Sequence, residues 1–248
     1  MKGLIIMKIF RYMHLLFVFI ISVVLLSFPG NNNVYAKDAG HEEKKIYITF
    51  DDGPIPVITD RILDVLKEQN VKATFFVVGH EIPGRESILK RIHNEGHTIG
   101  LHTYSHKFKK VYRSDDAFVN EMLETRKQIN EILSISPTAI RFPGGSSRRL
   151  TKDLLEKLHS NNMKIFDWTG DLHDGGNPKL SVSQIIKNGK TFNPKHTTHI
   201  LLAHCNSNNS NTVKALPSII KYYRDQGYEF AAIDENTPDY HYRLKTKE

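Results

Sequence analysis

Short apolar segments alternate with amphipathic ones along most of the chain, and this alternation constrains the fold more than any other feature. Strands are predicted over residues 46–50, 73–78, 97–101, 139–142, 164–168, 198–204 and 228–233, and helices over residues 57–70, 86–94, 115–133, 151–160, 182–188 and 212–226. Strict β-α alternation predicts an α/β fold with a parallel sheet and helices outside it. Seven such strands without a break in composition favour a closed or nearly closed barrel over an open doubly wound sheet.

The N-terminus predicts a secretory signal peptide. Three basic residues precede an apolar stretch over residues 15–28, Pro29 and Gly30 end it, and Ala36 closes a short segment suited to cleavage. The apolar stretch is shorter than the about 20 residues that a spanning helix needs. We expect cleavage after Ala36, with an uncleaved membrane anchor as the alternative. Either way the rest of the chain is expected outside the cytoplasm, secreted or at a bacterial cell wall.

The composition excludes several classes of protein. A chain with 40% apolar and 25% charged residues is an ordinary globular protein. The net charge of +7 falls to +4 without the three N-terminal basic residues, which is too mild to indicate nucleic-acid binding. Cys205 is the only cysteine, so a disulfide framework and a four-thiolate zinc site are excluded, and a buried, inert thiol is expected there.

No low-complexity linker divides the chain after the signal segment, so one folded domain is expected. The boundaries predicted are a signal peptide over residues 1–36, a short linker over 37–44, the domain itself over 45–235 and a C-terminal tail over 236–248.

Seven polar side chains fall at the carboxyl ends of predicted strands: Asp51, Asp52, His102, His106, Arg141, Asp171 and His204. In a parallel β/α barrel these ends form the rim on which enzyme sites are built. The pattern therefore predicts a single site that contains all seven.

His102 and His106 are four residues apart, and on one helical turn their imidazoles would share a face and bind one cation. The neighbouring Asp51 and Asp52 can add a carboxylate ligand. Two histidines and one carboxylate leave a coordination position open, as in a catalytic site. One divalent metal is expected, with zinc as the first choice, although non-haem iron uses the same ligands.

The remaining side chains suggest acid–base chemistry. One Asp of the pair can bind the metal while the other faces the bound water, although Asp-Asp-Gly-Pro is also ordinary turn chemistry. His204 offers a general acid, and Asp171 is expected to orient its imidazole and favour the cationic form. Arg141 is expected to hold the base carboxylate ionised. The alternative for His204 is a structural histidine at a strand end, and the alternative for Arg141 is an ordinary salt bridge.

Five segments resemble, in order, the five motifs of the NodB-homology polysaccharide deacetylases, carbohydrate esterase family four: residues 49–53, 102–106, 141–145, 168–171 and 201–204. The similarity spans about residues 45–233. It implies a distorted (β/α) barrel with seven strands, a divalent metal that is usually zinc, and removal of the N-acetyl group from an amino sugar in a polymer.

The resemblance also implies roles for individual residues. Asp51 would be the general base, with Arg141 supporting it; Asp52, His102 and His106 would bind the metal; His204 would be the general acid, tuned by Asp171; and a backbone N–H near Gly144 would stabilise the oxyanion. Three positions depart from the motifs. Gly144 and Gly175 stand where relatives often carry aromatic residues, and the glycine at 144 is expected to leave a wall of the cleft open. Cys205 stands where relatives often carry Asp.

The expected function is secreted, metal-dependent deacetylation of peptidoglycan or another N-acetylglucosamine polymer. The partners expected are an acetylated polysaccharide and the cell-wall surface, with no nucleic acid. The alternatives are an O-acetyl esterase acting on xylan-type polysaccharide and a non-catalytic glycan-binding domain, in which loss of the base or acid would be expected. An iron-dependent oxygenase is disfavoured by the β-α alternation.

Overall fold

The computed structural model describes residues 43–177, 179–191 and 197–245. The predicted signal peptide, residues 1–36, and residues 37–42 of the predicted linker lie outside the described residues. The strands are β1 Lys45–Asp51, β2 Thr74–Val77, β3 Thr98–Leu101, β4 Ala139–Ile140, β5 Lys164–Ile165, β6 Gly170–Asp171, β7 Thr198–His204 and β8 Glu229–Ala231. The α-helices are α1 Ile58–Glu68, α2 Glu86–Asn94, α3 Phe108–Val111, α4 Asp115–Leu133, α5 Lys152–Ser160, α6 Val182–Gly189 and α7 Ser210–Asp225.

The sheet is parallel at every strand pair and follows the order β5-β4-β3-β2-β1-β7-β6, with β8 added beside β1. The chain passes directly from β5, at one end of this order, to β6, at the other. The sheet is therefore a nearly closed, distorted (β/α) barrel, which confirms the predicted fold class. Its core is apolar, and Phe50 on β1 stacks on Phe75 on β2 with ring centroids 5.0 Å apart.

Three helices begin at the N-cap residues that the local sequence predicts. Ser114 caps α4, accepting a hydrogen bond on Oγ from the Ala117 N–H at 3.1 Å, and Thr151 caps α5 in the same way. Ser181 caps α6 with a reciprocal contact to Gln184. Within the described ranges, no helix has both the length and the apolar content needed to cross a membrane.

The predicted strand over residues 164–168 divides in two. The backbone leaves β4 after the Phe166 N–H, which donates to the Ile140 carbonyl, and the Asp167 N–H then donates to the Tyr240 carbonyl at 2.7 Å. A second short strand, β6, follows and pairs with β7. The described sheet thus has eight strands where seven were predicted, because the C-terminal segment takes over the pairing at this point.

The predicted C-terminal tail is part of the domain over its described residues. Tyr240 donates its N–H to the Ile165 carbonyl at 2.9 Å and forms a parallel bridge with Phe166. Lys245 donates its N–H to the Leu150 carbonyl. The predicted boundary at residue 235 was therefore wrong, because the edge of β5 needs a pairing partner and the tail supplies it.

Asp167 ties this segment to the loop that follows β4. Its buried carboxylate accepts from the Ser146 N–H at 2.9 Å, from the Ser146 hydroxyl and from the Tyr242 N–H at 2.8 Å. Asn in place of Asp167 leaves one oxygen for three donors. We expect Asp167→Asn to lower the free energy of unfolding by about 2 kcal/mol or more, since buried unpaired polar groups cost about 1–3 kcal/mol each.

Urea unfolding followed by circular dichroism measures this change. The matched control is Asp225→Asn on exposed α7, where the carboxylate pairs with Lys221 across the helix surface. Its effect is expected to stay within about 0.5 kcal/mol. Equal stability of the Asp167 and Asp225 variants would contradict a bracing role for the C-terminal segment.

Candidate metal and catalytic site

The carboxyl ends of neighbouring strands bring the predicted residues to one rim. β1 ends at Asp51 and β7 ends at His204, and the strand register pairs these two residues directly. His102 follows the last residue of β3, and Arg141 follows the last residue of β4. Of the seven predicted site residues, Asp171 is the one whose carboxylate does not contact the predicted partner, His204, as described below.

Asp51 is buried and held by Arg141. The Arg141 Nη1 donates to Asp51 Oδ1 at 2.9 Å, and Asp51 Oδ2 lies 3.6 Å from His102 Nε2. The guanidinium is fully buried and cannot swing away, because it also donates to the Phe166 carbonyl at 2.6 Å and to the Thr49 hydroxyl at 2.6 Å. The carboxylate therefore has one oxygen in an ion pair and the other facing the histidines.

Asp52, His102 and His106 form a donor set suited to a divalent cation. Asp52 Oδ1 lies 3.6 Å from His102 Nε2 and 3.4 Å from His106 Nε2, and one ligand atom from each residue falls within 4.8 Å of the others. Two imidazole nitrogens and one carboxylate oxygen are ligands that zinc accepts. The residues present thus fit the predicted metal.

The imidazoles are set up to present lone pairs to a cation. His102 Nδ1 lies 2.9 Å from the Arg141 carbonyl oxygen, and because a carbonyl can only accept, Nδ1 carries the proton and Nε2 is left as a ligand atom. Burial holds the pKa of His106 below its ordinary value. A neutral imidazole is the form that binds a metal.

The spacing of the two histidines predicted that they lie on one helical turn, and this prediction was wrong. They belong to a loop between β3 and α3, in which Thr103 and His106 have positive φ values of 66° and 52°. Left-handed backbone at residues other than glycine persists where the surroundings enforce it. Here the tight turn of the loop, and not a helix, directs both imidazoles toward Asp52.

Glu121, which sequence reasoning missed, enforces this loop from α4. Its buried carboxylate accepts from the Tyr104 and Ser105 N–H groups at 3.0 and 2.6 Å, and pairs with Lys110 at 2.8 Å. Burial by itself raises the pKa of Glu121, but Lys110 and Ser105 bring it below the ordinary value. The available signal was an acid on the buried face of a helix, four residues after Ala117.

Asp52 is itself held in a constrained position. Its φ is 76°, and its Oδ2 accepts from the Asn206 side-chain amide at 2.6 Å. Burial alone raises the pKa of Asp52, but the neighbouring histidines and the Asn206 hydrogen bond lower it below its ordinary value. The carboxylate is therefore anionic and aimed at the histidines. Asn206 was not predicted as a site residue.

His204 pairs with Asp174, and the predicted pairing with Asp171 was wrong. His204 Nδ1 lies 2.8 Å from Asp174 Oδ1, while the buried Asp174 Oδ2 accepts from the Thr212 hydroxyl at 2.7 Å. Burial alone would lower the pKa of His204. The Asp174 hydrogen bond and the charge of Asp51 oppose it and raise this pKa to about 9.

Asp171 cannot reach His204 because of the strand register. It sits on β6 opposite Leu202, two residues before His204, a distance of about 6–7 Å along a strand. Its carboxylate instead accepts from the His173 N–H at 2.6 Å and lies 3.2 Å from His173 Nδ1. The chain must continue three residues past β6 before a carboxylate is level with the His204 ring.

Gly175 explains one departure from the resemblance. A Cβ at this position would lie 2.4 Å from His204 Nε2, so the imidazole packs directly on the glycine backbone. No side chain fits at residue 175 unless His204 moves.

At Gly144, the predicted site of the oxyanion donor, the neighbouring Gly145 N–H already donates to the Phe142 carbonyl at 2.8 Å.

Cys205 is structural, as expected. It is fully buried, and both its N–H and its Sγ donate to the Asp51 carbonyl oxygen at 3.1 Å. Burial raises the pKa of the thiol well above its ordinary value, so the reactive thiolate is disfavoured. Cys205 therefore anchors the backbone of Asp51 from the neighbouring strand.

Comparison with known sequences gives a consistent family. The profile described as polysaccharide deacetylase matches residues 38–163. A peptidoglycan-N-acetylglucosamine deacetylase from Bacillus cereus is 35% identical over 211 residues, which cover 84% of this chain and 76% of the relative.

Solved structures agree with these matches. A polysaccharide deacetylase from Bacillus cereus superposes with a TM-score of 0.73 at 35% identity, covering 82% of this chain and 96% of the other. A CE4 esterase from Streptococcus mutans superposes with a TM-score of 0.71 at 30% identity, covering 78% of this chain and 87% of the other. The similarity therefore extends across most of the domain that carries the site.

Proposed function

This chain belongs to the polysaccharide deacetylase family and is a hydrolase, and from that premise we propose that it removes the N-acetyl group from an amino sugar in a cell-wall polymer. Peptidoglycan or another N-acetylglucosamine polymer is the proposed substrate, supported by the likeness to the Bacillus cereus peptidoglycan deacetylase. The observation that carries the proposal is the pairing of Asp51 and His204 at adjacent strand ends, beside three residues suited to hold a cation.

Asp52, His102 and His106 would hold the cation, which we propose to be zinc. When bound, a divalent cation of this kind polarises a carbonyl oxygen and lowers the pKa of a water molecule. Asp51 is the proposed general base. Its Oδ1 is engaged by Arg141, so Oδ2 is the oxygen that takes a proton from the attacking water.

His204 is the proposed general acid. With Nδ1 held by Asp174, its Nε2–H is the proton that can be donated. When the carbon–nitrogen bond of the tetrahedral intermediate breaks, the nitrogen takes this proton and leaves as a free amine, while the acetyl group leaves as acetate. Asp174 stabilises the cationic imidazole that must exist before this step.

We further propose that the enzyme acts outside the cytoplasm, at the cell wall, after cleavage of residues 1–36. The basis is the signal-peptide pattern of the sequence. N-terminal mass spectrometry of the protein recovered from the wall and medium fractions tests this. A protein retained in the cytoplasm with residue 1 intact would overturn it.

An O-acetyl esterase is the second candidate, favoured by the likeness to the Streptococcus mutans CE4 esterase. The same base and cation would serve, and an alcohol would leave in place of the amine. Acetylated xylan incubated under the same conditions as peptidoglycan distinguishes the two. Faster acetate release from xylan would favour the esterase.

Removal of the metal is expected to stop the reaction. After treatment with a chelator and dialysis, acetate release from peptidoglycan should fall to the background rate, because the site loses the cation that polarises the carbonyl and lowers the pKa of the attacking water. Zinc added back should restore it. Mass spectrometry of defined acetylated oligomers shows which sugar loses its acetyl group, and acetate release that persists without metal would contradict the proposal.

A further inference from the structure

Phe108 is an exposed aromatic ring beside the metal ligands. It is 45% exposed, one of three large apolar side chains of the described residues that face solvent. Its ring centroid lies 5.8 Å from that of His106, with the two planes at 85°. An exposed aromatic ring in this position offers a large apolar contact area to a ligand that lies along the edge of the site.

The ring is held in place and is not a loose side chain. It packs edge-on against Tyr112 with centroids 5.7 Å apart, and Tyr112 in turn stacks on the buried Phe118. The Arg149 guanidinium lies over the Phe108 ring, 5.5 Å from its centroid, and donates to the Gly144 carbonyl at 3.0 Å. Phe108 is therefore fixed relative to the loop that follows Arg141.

Phe108 lies against Gly144. A Cβ at position 144 would lie 3.4 Å from Cε1 and Cζ of Phe108, and the φ of 71° disfavours any side chain there. The wall of the cleft at Gly144 is thus formed by Phe108, the first residue of α3. The ring borders the metal ligands on one side and the loop after Arg141 on the other.

We propose that Phe108 is a stacking platform for a pyranose ring of the polymer. It would contact a sugar next to the one whose acetamide lies at Asp51 and His204. The C–H face of a pyranose is apolar and packs on an aromatic face, and the neighbouring Arg149 guanidinium can donate to its hydroxyl groups. The inference rests on the proposed function, and it makes Phe108 a determinant of substrate length.

The test compares Phe108→Leu with Phe108→Trp. Leucine keeps an apolar contact on Tyr112 but removes the ring face, whereas tryptophan keeps a face. For an N-acetylglucosamine pentamer, we expect Phe108→Leu to raise KM about tenfold with a much smaller change in kcat, since an aromatic contact of about 1.4 kcal/mol corresponds to tenfold in affinity. Phe108→Trp is expected to keep KM near the parental value.

The matched control is Phe230→Leu on β8, which pairs with Ile46 at the opposite end of β1 from the site. Its KM should equal that of the parent protein. Metal content and thermal unfolding of both leucine variants check that the site and fold are intact. An unchanged KM in Phe108→Leu, with metal still bound, would overturn the inference.

Equilibrium binding separates this inference from the proposed function. Isothermal titration of the same pentamer into Asp51→Asn and into the double variant with Phe108→Leu needs no turnover, and the dissociation constant is expected to rise about tenfold. If the parent protein releases acetate but Asp51→Asn and the double variant bind the pentamer equally well, the stacking role of Phe108 is overturned and the proposed function stands. Weakened binding without acetate release from the parent protein would do the reverse.

Discussion

Asp51→Asn is expected to lower kcat for acetate release by about 10²- to 10⁴-fold while the protein still binds its metal. Asparagine has the size of aspartate and keeps an oxygen for Arg141, but it cannot take a proton from water. Asp51 lies outside the set Asp52, His102 and His106, so the ligands are unchanged. Steady-state acetate release together with metal analysis of the purified variant measures both effects.

His106→Ala is the contrasting variant, because it removes one of the three ligands. It is expected to lose metal and activity together. Urea unfolding of both variants is needed as well, since Arg141 is fully buried and Asp51→Asn removes its anionic partner. Full turnover by a folded Asp51→Asn protein would end the assignment of Asp51 as the base.

Asp174→Asn is expected to lower kcat by about 10²-fold or more, because His204 would lose the partner that stabilises its cationic form. An asparagine amide can donate to Nδ1 of a neutral imidazole and so favours the uncharged ring. The matched control is Asp171→Asn, whose carboxylate contacts His173 and not His204. That variant is expected to retain parental kcat.

The pH profile distinguishes this role from a purely structural one. A general acid must be protonated, so activity falls as the pH rises through its pKa. The pKa of His204 is raised from 6.5 to about 9, and a bound cation would offset part of this rise, so the alkaline limb of kcat/KM is expected between pH 6.5 and 9. Asp174→Asn should move the limb to lower pH. A limb that stays in place while kcat falls would indicate that Asp174 only supports the fold.

Local patterns predicted the secondary structure well where one periodicity dominates. α2, α4 and β7 begin and end at the residues predicted, because a regular apolar stripe or run is set by neighbours a few positions away. The caps Ser114 and Thr151 follow from the same local chemistry. The shorter strands were less well predicted, since their ends depend on which other segment supplies the hydrogen bonds.

The candidate site was predicted in composition but not in all its contacts. Asp51, Arg141 and the three predicted metal ligands meet as expected because each lies at the carboxyl end of a parallel strand or in the loop that follows it, and such ends share one edge of the sheet. Asp174 and Glu121 were missed. Both act through hydrogen bonds to residues distant in sequence, and no local pattern marks those contacts.

By itself, the sequence determined the β-α order, the positions of the longer helices and the residue types brought to one rim, because these depend on periodicity and on the direction of parallel strands. Only the tertiary structure decided that Asp174 and not Asp171 holds His204, that His102 and His106 lie in a turn, and that the C-terminal segment pairs with β5. Each of these depends on strand register or on the hydrogen bonds of a distant backbone. A shift of one or two residues changes such contacts without altering the local pattern.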